Sequence, residues 1–392
     1  MDPKKSSIAV FSFAYAPFEG GAEVALREIM HRLPVFSFTV FTAHFDERSS
    51  AHEVQDHVEI VRLGKPTKRR YGLLLKKVRY IFQAWQAAEE RHRRARFDAI
   101  WVVMASYGGI AALLFKMKHP SVPMLLTVQE GDSERHLKYG KFGLVGFFGK
   151  VLLHSADSIQ VISGYLRDFA LRKGASEPIT VVPNGVDERL FATAYSPEQI
   201  RTLRNYLDLG DSFVVVTTSR LVVKNGVDIL IKAVAKFKER RPNVKCLIIG
   251  GGPERSRLER LAKRLDVEQN IIFLGQMAQN DLPLYFAVSD MFVRPSRSEG
   301  LGNSFLEAMA AGVPVIGTPV GGIVDFLKDG ETGFVAEPES PESVAVKMHE
   351  ILNDEDRTHA IVARARELVE RSYTWDVVAR MMRTIFDQLI NL

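Results

Sequence analysis

Short apolar runs alternate along the chain with longer stretches in which apolar residues recur every third or fourth position. The first pattern predicts buried strands and the second amphipathic helices. In the first half the strand-like runs are IAVFSFA, FTVFTA, VEIVRL, AIWVVM, MLLTV, SIQVIS and ITVVP. Helical stretches such as AEVALREIMHRL, AALLFKMK and GYLRDFALRKG lie between them. In the second half the strands are FVVVTTS, VKCLIIG, IIFLG, MFVRPS, PVIGTP and GFVAEP. The helices there are VDILIKAVAKFKERR, ERSRLERLAKRLD, NDLPLYFAVS and SFLEAMAAG. Continuous apolar strands between amphipathic helices belong to parallel sheets covered on both faces. Two successive series predict an α/β protein with two Rossmann-like, doubly wound domains facing each other across a cleft.

The seam is expected near VVPNGVDERLF, residues 181–191, where a proline and Asn184-Gly185 give a strong turn signal. One domain then covers 1–190 and the other 191–370. The closing segment, SYTWDVVARMMRTIFDQLINL, reads as a helix with no strand of its own. In such sheets ligands bind beyond the carboxyl ends of the strands, where the strand order reverses. Candidate chemistry is therefore sought just after strands.

A length of 392 residues supports two domains, and 46% hydrophobic with 25% charged residues is a soluble globular composition. The single cysteine, Cys246, lies in VKCLIIG and reads as a buried strand residue. One cysteine excludes a disulfide framework and points to a reducing cytoplasm. MDPKKSSIAVFSFAYAP imitates a signal peptide, with two lysines, an apolar stretch and an A-x-A. The pattern nevertheless runs on as strand, glycine turn, helix and strand, so a first buried strand is the better reading. FGLVGFFGKVLL at 142–153 is interrupted by Lys150 and falls short of the ~18 apolar residues of a membrane span.

The net charge of +5 is unevenly spread. From Lys65 to Arg96 the only acids are Glu89 and Glu90, and Leu74, Val78, Ile81, Phe82 and Trp85 recur at helical spacing. This predicts an amphipathic helix with a basic flank, either packing on its own domain or docking on an anionic phospholipid surface. The second choice would make the protein peripheral on the inner face of a membrane. No aromatic-basic platform accompanies the charge, so no nucleic-acid partner is expected.

After FVVVTTS comes RLVVKNG, in which Arg220 and Lys224 offer a bidentate fork and a point charge to a diphosphate. After VKCLIIG a glycine turn containing Gly251 opens a helix, without a G-x-G-x-x-G fingerprint. After MFVRPS comes SEGLGNSFLEAMAAG. Its turn, Gly300, Leu301, Gly302, Asn303 and Ser304, would present backbone N–H groups at a helix start, an anion site. Glu299 and Glu307 lie on either side of that helix start. A carboxylate accepts paired hydrogen bonds from vicinal hydroxyls, so the two could hold two rings flanking a diphosphate. That is the chemistry of a nucleoside-diphosphate sugar.

Taken in order, RLVVKNG, IIGGGPER, IIFLG, PSRSEGLGNSFLEAMAAGVPVIGTPVGGIVDFL and DGETGF resemble the family-4 retaining glycosyltransferases of the GT-B fold. APFEGGAEVALREIMHRL, ADSIQVIS and VVPNGVD extend the resemblance over nearly the whole chain. It implies donor binding by the second domain, acceptor binding by the first, and a last helix, within 371–392, that crosses back onto the first. Glu307 would match the glutamate on the ribose. Glu299, with the backbone of Gly300, Leu301 and Gly302, would match the loop on the transferred sugar. Arg220 and Lys224 would match the basic pair on the diphosphate, and Gly20 and Gly21 the loop that closes over the phosphates. Backbone atoms near Leu274–Met277 would contact the base.

The chain departs from the family twice. Its lysine follows the arginine by four residues, and Asn225 occupies the more common fifth place. Where many relatives carry a histidine after the strand matching MLLTV, this chain reads TVQEGD, which brings Glu130 or Gln129 to that neighbourhood. The expected activity is retaining transfer of a sugar from a UDP- or GDP-sugar to a saccharide or lipid-linked acceptor, in polysaccharide or glycolipid synthesis. No metal or other cofactor is expected: no His or Cys cluster has ligand spacing, and Asp354-Glu355-Asp356 reads as a helix-connecting loop. A nucleotide-sugar epimerase of the same fold and a non-catalytic sugar-nucleotide-binding subunit are the alternatives.

Overall fold

The computed structural model describes residues 5–17, 20–66, 73–104, 106–129, 144–176 and 178–391. They fall into two compact units, one of residues 1–184 with 375–392 and the other of residues 185–374. The division lies inside VVPNGVDERLF, between Asn184 and Gly185.

The first unit holds β1 (Ser6–Phe11), β2 (Phe36–Ala43), β3 (His52–Gln55), β4 (Val58–Leu63), β5 (Ala99–Val103), β6 (Met124–Val128), β7 (Ser158–Val161) and β8 (Ile179–Val181). Their order is β3-β4-β2-β1-β5-β6-β7-β8, so the direction of winding reverses between β1 and β5. Every pairing is parallel except β3 on β4. Ile8, Ala9, Val10 and Phe11 are fully buried, as expected of a central strand covered on both faces. β3 was not expected. Its sequence, HEVQ, is mostly polar and exposed, a composition suited to a sheet edge.

The helix Trp375–Ile390 belongs to this first unit. Trp375, Val378, Met382, Phe386 and Leu389 are buried at helical spacing. Phe386 meets Trp101 at 5.2 Å and Phe36 at 5.5 Å between ring centroids, and Arg32 Nε donates to Asp376 at 2.8 Å. A helix without a strand thus completes the core over β1, β2 and β5.

The helix Leu73–Arg94 forms where the basic stretch predicted one, but its packed face differs. Tyr80, Ile81, Ala84 and Ala88 are buried, whereas Val78 and Phe82 are 43% and 52% exposed. The Leu74 side chain lies outside the described residues. The helix packs against the neighbouring helix Tyr107–Lys118, and the Tyr80 hydroxyl donates to the Phe41 carbonyl at 3.0 Å. Ile81 packs as expected, joined by Tyr80 and two alanines, while two large apolar side chains stay outside the buried face.

The second unit holds β9 (Phe213–Thr218), β10 (Val244–Ile249), β11 (Ile271–Gly275), β12 (Met291–Arg294), β13 (Val315–Gly317) and β14 (Phe334–Val335). The order β11-β10-β9-β12-β13-β14 is parallel throughout and reverses between β9 and β12. Cys246 is fully buried on β10, and burial pushes its thiol up to about 12. The acidic triplet is not a loop. Asp354 caps the helix Glu355–Ser372 by accepting from the Arg357 N–H at 3.1 Å, with Glu355 and Asp356 in the first turn, where carboxylates complement the helix dipole. No helix among the described residues is long and apolar enough to cross a membrane.

Candidate functional site

The segments that follow β9, β10, β11 and β12 carry the candidates of the second unit, and those after β9 and β12 flank the reversal of strand order. Past β9 the chain forms a short turn of 3-10 helix, Val223–Asn225, which ends at Gly226 with φ 67°. Arg220 is exposed and Lys224 half-buried, while Asn225 is buried. The Asn225 Nδ2 donates to the Arg220 carbonyl at 2.7 Å. The one-residue departure in lysine spacing therefore has a structural consequence: the fifth position points inward and ties down its own loop.

Past β12 the chain turns through Glu299, Gly300, Leu301 and Gly302, all buried, into the helix Asn303–Ala310. Gly302 caps that helix with φ 97° and ψ 57°, a left-handed conformation that disfavours any side chain. The Gly322 N–H donates to the Glu299 carbonyl at 3.2 Å. A Cβ at Gly321 would collide with the same carbonyl oxygen, so the second glycine turn packs directly on the first.

Glu299 does not extend freely into this turn. Its Oε1 accepts from Arg294, the last residue of β12, and from the Ser296 hydroxyl at 3.4 Å. Arg294 is buried as well and donates to Ser304 Oγ at 2.7 Å and to Asn225 Oδ1 at 3.3 Å. Glu307 is half-buried on the next turn of the helix and accepts from Gln279 Nε2 at 3.0 Å. Burial pushes its carboxyl up to about 7, although the Gln279 hydrogen bond and the Arg294 charge pull the other way. Met277 is half-buried in the segment after β11 that also supplies Gln279, and Gly251 is half-buried after β10, where its carbonyl accepts from the Leu221 N–H at 2.9 Å.

A second arginine links the same loops. Arg297 grips Asp228 bidentately at 2.7 and 3.0 Å, donates to the Val223 carbonyl at 2.7 Å and pairs with Glu339. Burial alone would raise the Asp228 carboxyl, but the guanidinium outweighs it and holds that group below the usual carboxylate range. Sequence reasoning singled out neither arginine, nor Gln279 or Asp228. The signal for Arg294 was present, because a charge inside the apolar run MFVR requires a partner.

In the first unit Gly20 and Gly21 open the helix Gly21–His31, with Gly20 as its extended cap. The Glu23 carboxylate folds back to this helix start, and burial raises it above the usual range although the backbone of Gly20 and Glu23 pulls the other way. Gln129 is half-buried and accepts from Asn184 Nδ2 at 3.4 Å. Glu130 lies outside the described residues. Among the described residues no group of three or more His, Cys, Asp or Glu side chains could hold a metal ion.

Residues 199–368 match the family Glycosyl transferases group 1, and residues 20–185 match the Glycosyl transferase 4-like domain. The chain belongs to the GT-B glycosyltransferases. Among curated members it is 36% identical over 231 residues to the GDP-mannose-dependent alpha-(1-6)-phosphatidylinositol monomannoside mannosyltransferase of Mycobacterium tuberculosis. That alignment spans 57% of this chain and 60% of the relative. Among solved structures of the fold, sucrose-phosphate synthase from Thermosynechococcus elongatus superposes with a TM-score of 0.83 at 22% identity, covering 99% of this chain and 100% of the other. Anabaena HepE in complex with UDP and glucose gives 0.80 at 22% identity, covering 98% and 100%.

Proposed function

We propose that this chain is a retaining glycosyltransferase that moves a sugar from a UDP- or GDP-sugar to a saccharide or lipid-linked acceptor, without a metal ion. The observation that carries this is the meeting, at one strand reversal, of the Arg220–Asn225 loop with the Glu299–Glu307 turn and helix. Arg220 and Lys224 would stabilise the diphosphate, the start of the Asn303–Ala310 helix would add its dipole, and Glu307 would accept from the ribose hydroxyls. Glu299, with the backbone of Gly300 to Gly302, would hold the transferred sugar.

In this reaction the bond between the anomeric carbon and the β-phosphate oxygen breaks, and its electron pair leaves with the nucleoside diphosphate. The acceptor oxygen forms the new bond on the same face, and its proton passes to the departing phosphate oxygen. Charge grows on the diphosphate as the ring becomes oxocarbenium-like, so fixed cations and N–H dipoles favour the transition state over the bound donor. Gly20 and Gly21 would close over the phosphates from the first unit, and Glu130 or Gln129 would act near the reacting carbon.

The name of the mycobacterial relative makes GDP-mannose the first donor to try and a lipid-linked acceptor the first class. The exposed Val78 and Phe82 on a helix that also exposes Lys76 and Arg79 support docking on an anionic membrane, at its cytoplasmic face. The test is incubation with GDP-mannose and, separately, UDP-glucose in chelator-containing buffer with crude lipid and saccharide acceptors, read by nucleotide release and proton NMR of the product. An α-linked product from an α-linked donor supports the reading. A β-linked product removes retention, and an isomerised sugar without transfer favours an epimerase.

A further inference from the structure

One guanidinium joins three segments of the candidate donor site, and no motif accounts for it. Arg294 ends the otherwise apolar strand β12 and is 8% exposed. One terminal nitrogen donates to Ser304 Oγ at 2.7 Å, in the first turn of the helix that carries Glu307. The other donates to Glu299 and, at 3.3 Å, to Asn225 Oδ1. Asn225 in turn holds the Arg220 carbonyl at 2.7 Å. The diphosphate loop, the sugar turn and the ribose helix are thus referred to one side chain.

Stability is a poor reason for such a residue. A buried ion pair is seldom better than apolar packing, and Arg294 Nε is buried with no hydrogen-bond partner, which adds a cost. The geometry explains it otherwise. Glu299 Oε1 is taken up by Arg294 and Ser296, whereas Oε2 accepts no hydrogen bond from the described residues. We infer that Arg294 is a positioning residue for sugar transfer: it orients Glu299 with one oxygen held and the other left for a donor hydroxyl, and it fixes the Arg220 loop to the same anchor. This rests on the reading of the second unit as the donor site. Arginine is required because three acceptors on three segments need a planar fork of donors, which a lysine ammonium does not supply.

The test uses full-length protein and Arg294→Lys, Asn225→Ala, Ser304→Ala and the last two combined. Release of GDP from GDP-mannose or UDP from UDP-glucose gives kcat and KM, and calorimetry gives affinity for GDP and UDP. Arg294→Lys should lower kcat by about tenfold to a hundredfold, the scale of a small misplacement of reacting groups. Donor KM and nucleotide affinity should stay within about threefold, since the interaction acts in the transition state. Asn225→Ala and Ser304→Ala should each lower kcat less, and the double variant should fall short of the product of the two, because both act through one guanidinium. These two leave the buried charge in place, so they remain informative if Arg294→Lys does not fold. Wild-type kcat in Arg294→Lys, a parallel fall in nucleotide affinity, or independent effects of the two alanines would overturn the assignment. Wild type that binds neither nucleotide is a different failure, which removes the donor site and the positioning role with it.

Discussion

Between β9 and β12 the chain ends its strands in charge and hydrogen bonds, with Arg294, Arg297, Asn225 and Asp228 holding adjacent loops together. Between β1 and β5, where the first sheet reverses in the same way, the corresponding segments carry rings. Phe13 follows β1, Phe45 follows β2 and Tyr107 follows β5, with Phe13 centred 5.4 Å from Phe45 and 5.2 Å from Tyr107. Phe45 is 44% exposed, and Lys77 lies 5.2 Å above the Tyr107 ring. One topology thus carries charged and hydrogen-bonding side chains in one unit and aromatic rings in the other. On the proposed reading the donor site binds by fixed dipoles and charges, while the acceptor side offers shape and stacking.

Breaking the charged side should have the largest effect. Arg220→Ala is expected to reduce kcat by about a hundredfold or more, the scale of losing one preorganised transition-state donor; a rate near wild type would remove Arg220 from the site. Protonation should act next. In its proposed role Glu307 must be a carboxylate to accept from two hydroxyls, and burial pushes its carboxyl up to about 7. Nucleotide affinity should therefore be full above pH 7 and fall as pH drops through it, by up to about tenfold per pH unit. In Glu307→Gln the affinity should be lower and this pH dependence flat. Titrations at pH 5.5 and 8 that agree in wild type would contradict that role.

The aromatic side should respond more weakly and differently. Phe45→Ala is expected to raise the acceptor KM by about threefold to thirtyfold while donor KM stays unchanged, as for loss of one stacking contact. Equal changes in both would erase the distinction between the two reversals. The smallest effect is expected on the helix Leu73–Arg94, where Val78→Ser with Phe82→Ser should weaken co-sedimentation with phosphatidylglycerol vesicles and leave transfer to a soluble acceptor intact. Unchanged vesicle binding would return those side chains to an ordinary surface.

Among the described residues thirteen of fourteen strands were legible because buried parallel strands are continuous apolar runs, and β3 was not because HEVQ needs only one neighbour and no core. The helix Leu73–Arg94 was legible as a helix and only partly by its face, since Ile81 is buried as expected but Val78 and Phe82 are not. Spacing alone weighs Phe82 above Ala84, while close packing of two helices prefers the alanine. At the site the turn chemistry of EGLGNS and the two glutamates stood out, since glycine at a left-handed cap and acids beside a helix start have local causes. The partners that aim those groups did not. Gln279 meets Glu307, and Arg297 meets Asp228, only after distant segments fold together.

Donor binding is the event on which the proposed transfer depends, so metal-free calorimetric titration of GDP, UDP and their mannose and glucose conjugates into wild type and Glu307→Ala is the most direct measurement. One nucleotide is expected to bind wild type selectively, and the substitution to weaken it by about tenfold to a hundredfold, the scale of hydrogen bonds to a charged group. Binding of none of them, or equal binding by the variant, would contradict the donor site between β9 and β12.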